Sequence, residues 1–278
     1  MRKIIRNLFA IMSTALLLAG CKNKNNQTDE NCIQGEGYYA EINSCMGDGE
    51  NGELREALTK LVHPGQTPTY SGDTGTYCLS KVLQEADADP NNSKNMIFFY
   101  TQKSNTKDVA HGDSYWNREH VWPQSLSNGC WGQARAGSDM LHLRPTYKET
   151  NESRGNMKYG NASGSWLTYN GMPYGRKGQY FEPVDAIKGD CARIIMYLWV
   201  AYHDEYANLP GIKNVFESID VMLQWHLNDA PSQIEINRNN YAQNSKQGNR
   251  NPFVDHPEYA CKIWGASASP ETQKRCGM

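Results

Sequence analysis

Trp116–Pro123 reads W-N-R-E-H-V-W-P, and Asp139–Asn156 reads D-M-L-H-L-R-P-T-Y-K-E-T-N-E-S-R-G-N. Proline pushes the chain ahead of it toward extended geometry, so Asn117–Val121 is expected to be a strand that ends before Pro123. Met140–Leu143 reads as a second strand. Tyr147–Arg154 reads as a helix that stops near Gly155, where glycine takes the left-handed C-terminal conformation at low cost. Strand, loop, strand and helix are therefore the expected local unit.

The flanking sequence adds mainly helices. Gly52–His63 has apolar residues at helical spacing and stops at Pro64-Gly65. Leu79–Ala86, Asp185–Tyr206, Asn214–Asn228, Ser232–Ala242 and Glu258–Trp264 read as further helices. Asp87–Asn95 reads as a loop rich in Asp and Asn, Met96–Thr101 as a buried strand, and Asn156–Gly178 as loop or short hairpins. The fold class expected is a mixed, largely helical α+β single domain. No composition shift inside residues 35–278 marks a further boundary.

The N-terminus has a different logic. Arg2, Lys3 and Arg6 precede the short apolar run Ala10–Ala19, and Leu18-Ala19-Gly20-Cys21 has the form of a bacterial lipobox. Residues 1–20 are read as a lipoprotein signal peptide with Cys21 as the lipidated residue. Residues 21–34 are read as a disordered tether. The expected product is exported and membrane-anchored, a monomer on the periplasmic face or cell surface. An oxidising compartment follows, so pairings of Cys32 with Cys45 and of Cys261 with Cys276 are expected. Cys191, in a strongly apolar helical pattern, is expected to stay free.

The formal net charge is −2, and removing the three N-terminal cations takes it to −5. A global basic field is thus excluded. A polyanionic partner would have to be held by a local basic patch or through a metal ion.

The two quoted stretches supply the groups that hydrolysis of a phosphodiester requires. His120 titrates near neutrality and suits a general base. Glu119 and Asn151 offer hard oxygen ligands for Mg²⁺, with Mn²⁺ or Ca²⁺ as substitutes. Arg135, Arg144 and Arg154 are candidates for holding phosphate oxygens, and His142 and Asn156 for supporting the site. Adjacent residues on a regular strand face opposite sides, so Glu119 and His120 serve one site only if the strand ends or kinks there. A rival reading is a non-catalytic surface lipoprotein that binds nucleic acid or glycan through the aromatic Gly/Asn/Tyr segment 156–180. An enzyme with the same metal site but restricted to RNA is another.

At these residues the chain resembles the bacterial endonuclease I family, exported nucleases built on a ββα-metal (His-Me finger) core. The likeness extends to F-E-P-V-D-A-I-K-G-D-C-A-R (Phe181–Arg193) and Q-G-N-R-N-P-F-V-D-H-P-E-Y (Gln247–Tyr259). It implies a nuclease domain over 35–278 with the ββα core at about 115–160. His120 falls on the family's general base, Glu119 and Asn151 fall on its metal ligands, and Arg135 is the first choice for the arginine on the cleaved phosphate. The implied activity is cleavage of DNA, and often RNA too, with little sequence preference and 5′-phosphate products. Leu141 departs from the pattern where some relatives carry histidine, and Cys191 interrupts an apolar position.

Overall fold

Leu54, Leu58 and Val62 recur on one face of α1 (Glu53–Val62), and all three are buried. The computed structural model describes residues 32–71, 75, 77–108 and 115–278. The expected signal segment, Cys21 and most of the expected tether lie outside the described residues. Ile33–Met278 form one compact unit.

After α1 come α2 (Leu79–Ala86), the short strand β1 (Ala88–Asp89), β2 (Asn92–Phe98) and β3 (Lys103–Thr106). The expected loop at Asp87–Asn95 is therefore largely a hairpin. Its turn is closed by Asp89, whose side chain accepts from the Asn91 N–H at 2.8 Å. Next come β4 (Trp116–His120), β5 (Leu143–Tyr147) and α3 (Lys148–Arg154). β6 (Trp166–Tyr169), β7 (Met172–Lys177) and β8 (Phe181–Pro183) follow. The β6–β7 turn is Asn170-Gly171, with φ of 50° and 76°, the pair of positive angles that tight hairpins favour.

The C-terminal half is helical: α4 (Lys188–Tyr202), α5 (Ile219–Asn228), α6 (Gln233–Gln243), α7 (Pro252–Asp255), α8 (Glu258–Trp264) and α9 (Pro270–Arg275). The sequence reading missed α7 and α9. It also began α5 too early, because Ser218 caps the helix by accepting from the Val221 N–H at 3.1 Å. The strands form three small antiparallel sheets, β1-β2-β3, β4-β5 and β6-β7-β8. The mixed α+β architecture is as expected.

α4 is the central element. From Gly189 to Tyr202 every residue is buried, and the helix packs against α1, α5 and α7. A helix buried on every side belongs in the interior, and the two charged residues on its buried length, Asp190 and Arg193, are paired there. A second apolar cluster joins Leu79 and Leu83 of α2 to Met96, Phe98, Trp116, Leu143 and Tyr147, fixing the β4–β5 ribbon on its helical support.

Cys261 and Cys276 form the expected disulfide, with Cα atoms 5.4 Å apart. Cys32 and Cys45 are likewise disulfide-bonded. Cys191 is free and buried, as expected, and so are Cys78 and Cys130. Among the described residues no helix is long and apolar enough to cross a membrane.

Candidate active site on the β4–β5–α3 unit

β4 and β5 pair in register from Trp116↔Tyr147 to His120↔Leu143. The second strand begins later than the sequence suggested because Asp139 organises a turn first. Its side chain accepts from the Leu141 N–H at 2.7 Å, and its carbonyl accepts from the N–H groups of His142 and Leu143. Its other carboxylate oxygen accepts from the hydroxyls of Tyr197 and Tyr202 at 2.6 and 2.8 Å, anchoring this turn to α4. α3 ends at Gly155 as expected, but with φ 60° and ψ −131°, a glycine-favoured conformation other than the left-handed helical one.

Because β4 stays regular to its end, its side chains alternate. Asn117 and Glu119 share one face with α3. Asn151 of α3 donates to Asn117 Oδ1 at 2.6 Å and to the Arg118 carbonyl at 3.3 Å. Arg154, one turn on, donates to the Val121 carbonyl at 2.9 Å and lies 3.3 Å from Glu119 Oε1. The same carboxylate oxygen accepts from the Tyr100 hydroxyl at 2.6 Å. Glu119 is 1% exposed. Burial raises its carboxyl above the ordinary value, against the pull of Arg154 and the Tyr100 hydrogen bond.

Two hard oxygens on this face, Glu119 Oε2 and Asn151 Oδ1, receive no hydrogen bond from any described residue. That donor set fits a small divalent ion that keeps most of its water. Among the described residues no group of three or more His, Cys, Asp and Glu side chains converges. A protein contribution of one carboxylate and one amide is thus the set these residues offer.

His120 and Arg118 occupy the opposite face of β4. The His120 Nε2 lies 3.1 Å from the Gly137 carbonyl, which can only accept, so Nε2 carries the proton and Nδ1 is the basic nitrogen. Burial, with a smaller push from Arg118 and Arg154, lowers the imidazole to about 4, so the ring is neutral at physiological pH. His142 is a different case. Its Nε2 accepts from the Trp122 N–H at 3.1 Å and its Nδ1 meets the Ala136 carbonyl at 2.7 Å. Both nitrogens are spent on bracing the loop after β4 against the Asp139 turn, and burial lowers the ring to about 3.

The arginines named from sequence separate by burial. Arg144 is 2% exposed and pairs with Asp87 at 2.7 Å; Arg154 is 1% exposed and clamps the end of β4. Arg135 is partly exposed in a 3-10 turn over Arg135–Ser138, and its φ is 54°. Its guanidinium forks onto Glu205 at 2.9 and 3.2 Å and meets His63 Nε2 at 2.6 Å. Asn156 is exposed and donates to Ser125 Oγ at 3.2 Å, tying the end of α3 to the loop after β4. No contact among the described residues joins the His120 ring to Glu119 or Asn151. What unites the three is the end of β4 and the helix that clamps it. Sequence reasoning missed Asn117, Gly137 and Tyr100. Asn117 lies in the quoted motif two residues before Glu119, and strand parity alone placed it beside that carboxylate.

An antiparallel ribbon running into a helix, with histidine at the end of the first strand and asparagine inside the helix, defines the ββα class of nuclease core. The chain belongs to the endonuclease I family, whose model matches residues 51–258. It is 35% identical over 240 residues to an extracellular ribonuclease of Bacillus amyloliquefaciens, covering 82% of this chain and 78% of that one. It is 34% identical over 238 residues to an extracellular ribonuclease of Bacillus subtilis (strain 168), with the same coverage. The protein is a nucleic-acid phosphodiester hydrolase. The non-catalytic reading of the aromatic segment is thereby set aside.

Proposed function

We propose that this protein is a divalent-metal-dependent endonuclease with little sequence preference, which hydrolyses DNA and RNA and leaves 5′-phosphate ends. The observation that carries the reading is the His120 ring, held through Nε2 on the Gly137 carbonyl with Nδ1 left basic. Nδ1 takes a proton from the attacking water as the new P–O bond forms; the P–O3′ bond breaks with its electron pair on the 3′ oxygen, which takes up a proton from solvent water to leave as the 3′-hydroxyl. The Gly137 carbonyl then steadies the imidazolium. Glu119 and Asn151 would hold Mg²⁺, which when bound supplies charge neutralisation on the phosphate and the departing oxygen. Arg154 and Arg144 act as supports within this scheme, and His142 and Asn156 as braces of the loops around it. A phosphate contact by Arg135 requires the nucleic acid to displace Glu205 from the guanidinium fork. Both relatives are ribonucleases by name, which favours RNA as a substrate, and an RNA-only enzyme is the second reading.

The test is cleavage of supercoiled plasmid and of single-stranded RNA by the purified full chain. Cutting of both with Mg²⁺, none in EDTA, and recovery on adding excess metal is the expected pattern. Persistent cutting in EDTA would remove the metal from the mechanism, and cutting of RNA alone would select the second reading.

Export and a lipid anchor at Cys21 belong to the same proposal, supported by the lipobox pattern, the disulfides and the relatives' extracellular designation. Cells expressing the chain should incorporate labelled palmitate into it, and Cys21→Ala should abolish that label. Undiminished labelling of the variant would place the lipid elsewhere.

A further inference from the structure

Three of the four arginines around the β4–β5–α3 unit are engaged by carboxylates. Arg144 is held by Asp87, Arg154 by Glu119, and Arg135 by a two-point fork on Glu205. Arg118 is the exception. Among the described residues no carboxylate lies within ion-pair distance of it, and its side chain is half-exposed. It stands two residues before His120 on β4, so both side chains leave the same face of the strand.

Tyr70 joins the two. Its ring centroid lies 4.2 Å from the Arg118 guanidinium carbon, and its carbonyl accepts from Arg118 at 2.6 Å. The same ring stacks near the His120 imidazole, with centroids 5.9 Å apart and planes at 30°. A guanidinium held against an aromatic face is oriented, and its other N–H groups, which donate to no other described residue, can fork onto two oxygens of a phosphate. In a chain of acidic net charge, a local cation beside the base is the feature a polyanion would need.

We propose that Arg118, backed by Tyr70, is the phosphate subsite of this nuclease, taking a backbone phosphate of the strand at or next to the bond cleaved by the water that His120 activates. The proposal rests on the nuclease reading above. Arg118 supplies the contact with substrate, and Tyr70 is a positioning residue that sets the guanidinium relative to the imidazole.

The test is binding, separated from cleavage. Fluorescence anisotropy with a labelled single-stranded oligonucleotide, in Ca²⁺ and across a salt series, is measured in a His120→Ala background. Adding Arg118→Ala should weaken binding about tenfold and take about one unit off the slope of log K against log salt. The charge control Lys274→Ala, on α9, should leave both unchanged. Should Arg118→Ala fold poorly, Arg118→Lys serves instead; it should keep the salt slope but lose affinity, because an ammonium neither forks nor stacks as guanidinium does. In the otherwise wild-type protein, Arg118→Ala should raise KM more than it lowers kcat. Unaltered affinity and slope in an enzyme that still cuts nucleic acid would overturn the subsite and leave the function standing. If the wild-type chain cuts nothing under any divalent ion while binding still depends on Arg118, the function falls and the subsite survives as a binding site.

Discussion

His120→Ala should lower cleavage of plasmid DNA and RNA by roughly 10²- to 10⁴-fold, the span that removal of a positioned general base ordinarily costs. The large effect follows from the absence of a substitute among the described histidines. His142 is nearest in space, with ring centroids 5.3 Å apart, but both of its nitrogens are consumed by Trp122 and Ala136. His63 meets Arg135 and the Ala201 carbonyl, and His226 meets the Pro257 carbonyl. His203 and His256 face Asp204 and Glu258 on the surface. A second variant separates base chemistry from loss of packing beside Tyr70. His120→Gln keeps a side chain of similar reach that can still donate toward Gly137 but has no basic nitrogen, so its activity should be as low as that of His120→Ala. Single-turnover rates under saturating Mg²⁺ provide the measurement. A His120→Gln protein cutting within tenfold of wild type would move the base to another group.

The parts of this site that were legible in sequence are those set by local punctuation. Pro123 stops β4 and Gly155 stops α3, and both boundaries follow from backbone geometry that a few residues dictate. The start of β5 was misplaced because an Asp139 side-chain turn delays it, a competition between local polar bonding and strand extension that the apolar pattern does not reveal. The fate of each arginine was not legible at all. Arg135 meets Glu205 across 70 positions, and Arg238 meets Asp87 across 151. Whether a guanidinium is free for a phosphate depends on such distant partners. Arg118 marks the intermediate case: its parity with His120 was readable, but the lack of a competing carboxylate among the described residues was not. Strand geometry made a shared site for Glu119 and His120 conditional on the strand ending or kinking at them; β4 ends at His120, with Tyr100 and Arg154 closing over Glu119.

The largest loss of stability is expected from Glu235→Ala. Its carboxylate accepts two hydrogen bonds from Arg193, at 2.6 and 2.8 Å, and one from the Ser232 N–H at 2.8 Å, closing the capping box of α6. The pair ends a buried alternation of charges that runs Arg238, Asp87, Arg144, Asp190, Arg193 and Glu235. This chain ties α6 to the end of α2, to β5 and to α4, so it also holds the strand that carries the site. Replacing well-packed apolar residues by such a network need not stabilise a protein, but removing one member strands the opposite charge. Arg193 is fully buried, and without the Glu235 fork it keeps only the longer contact to Asp190, at 3.3 Å, and the Asp229 carbonyl. The variant should therefore lose about 3–5 kcal/mol and melt on the order of 10 °C lower. Burial alone would raise the Glu235 carboxyl, but Arg193 and the capping N–H overcome it and hold it below the ordinary value. Its contribution is accordingly present above the usual carboxylate range and is lost as pH falls through the depressed folded value. Thermal melts of wild type and Glu235→Ala should then converge as the pH is lowered. The double variant Arg193→Met/Glu235→Leu should recover much of the loss, since it removes both charges and keeps the volume. Melting curves that coincide at neutral pH would mean that Asp190 and the Asp229 carbonyl suffice for Arg193 and that the network is not what secures β5.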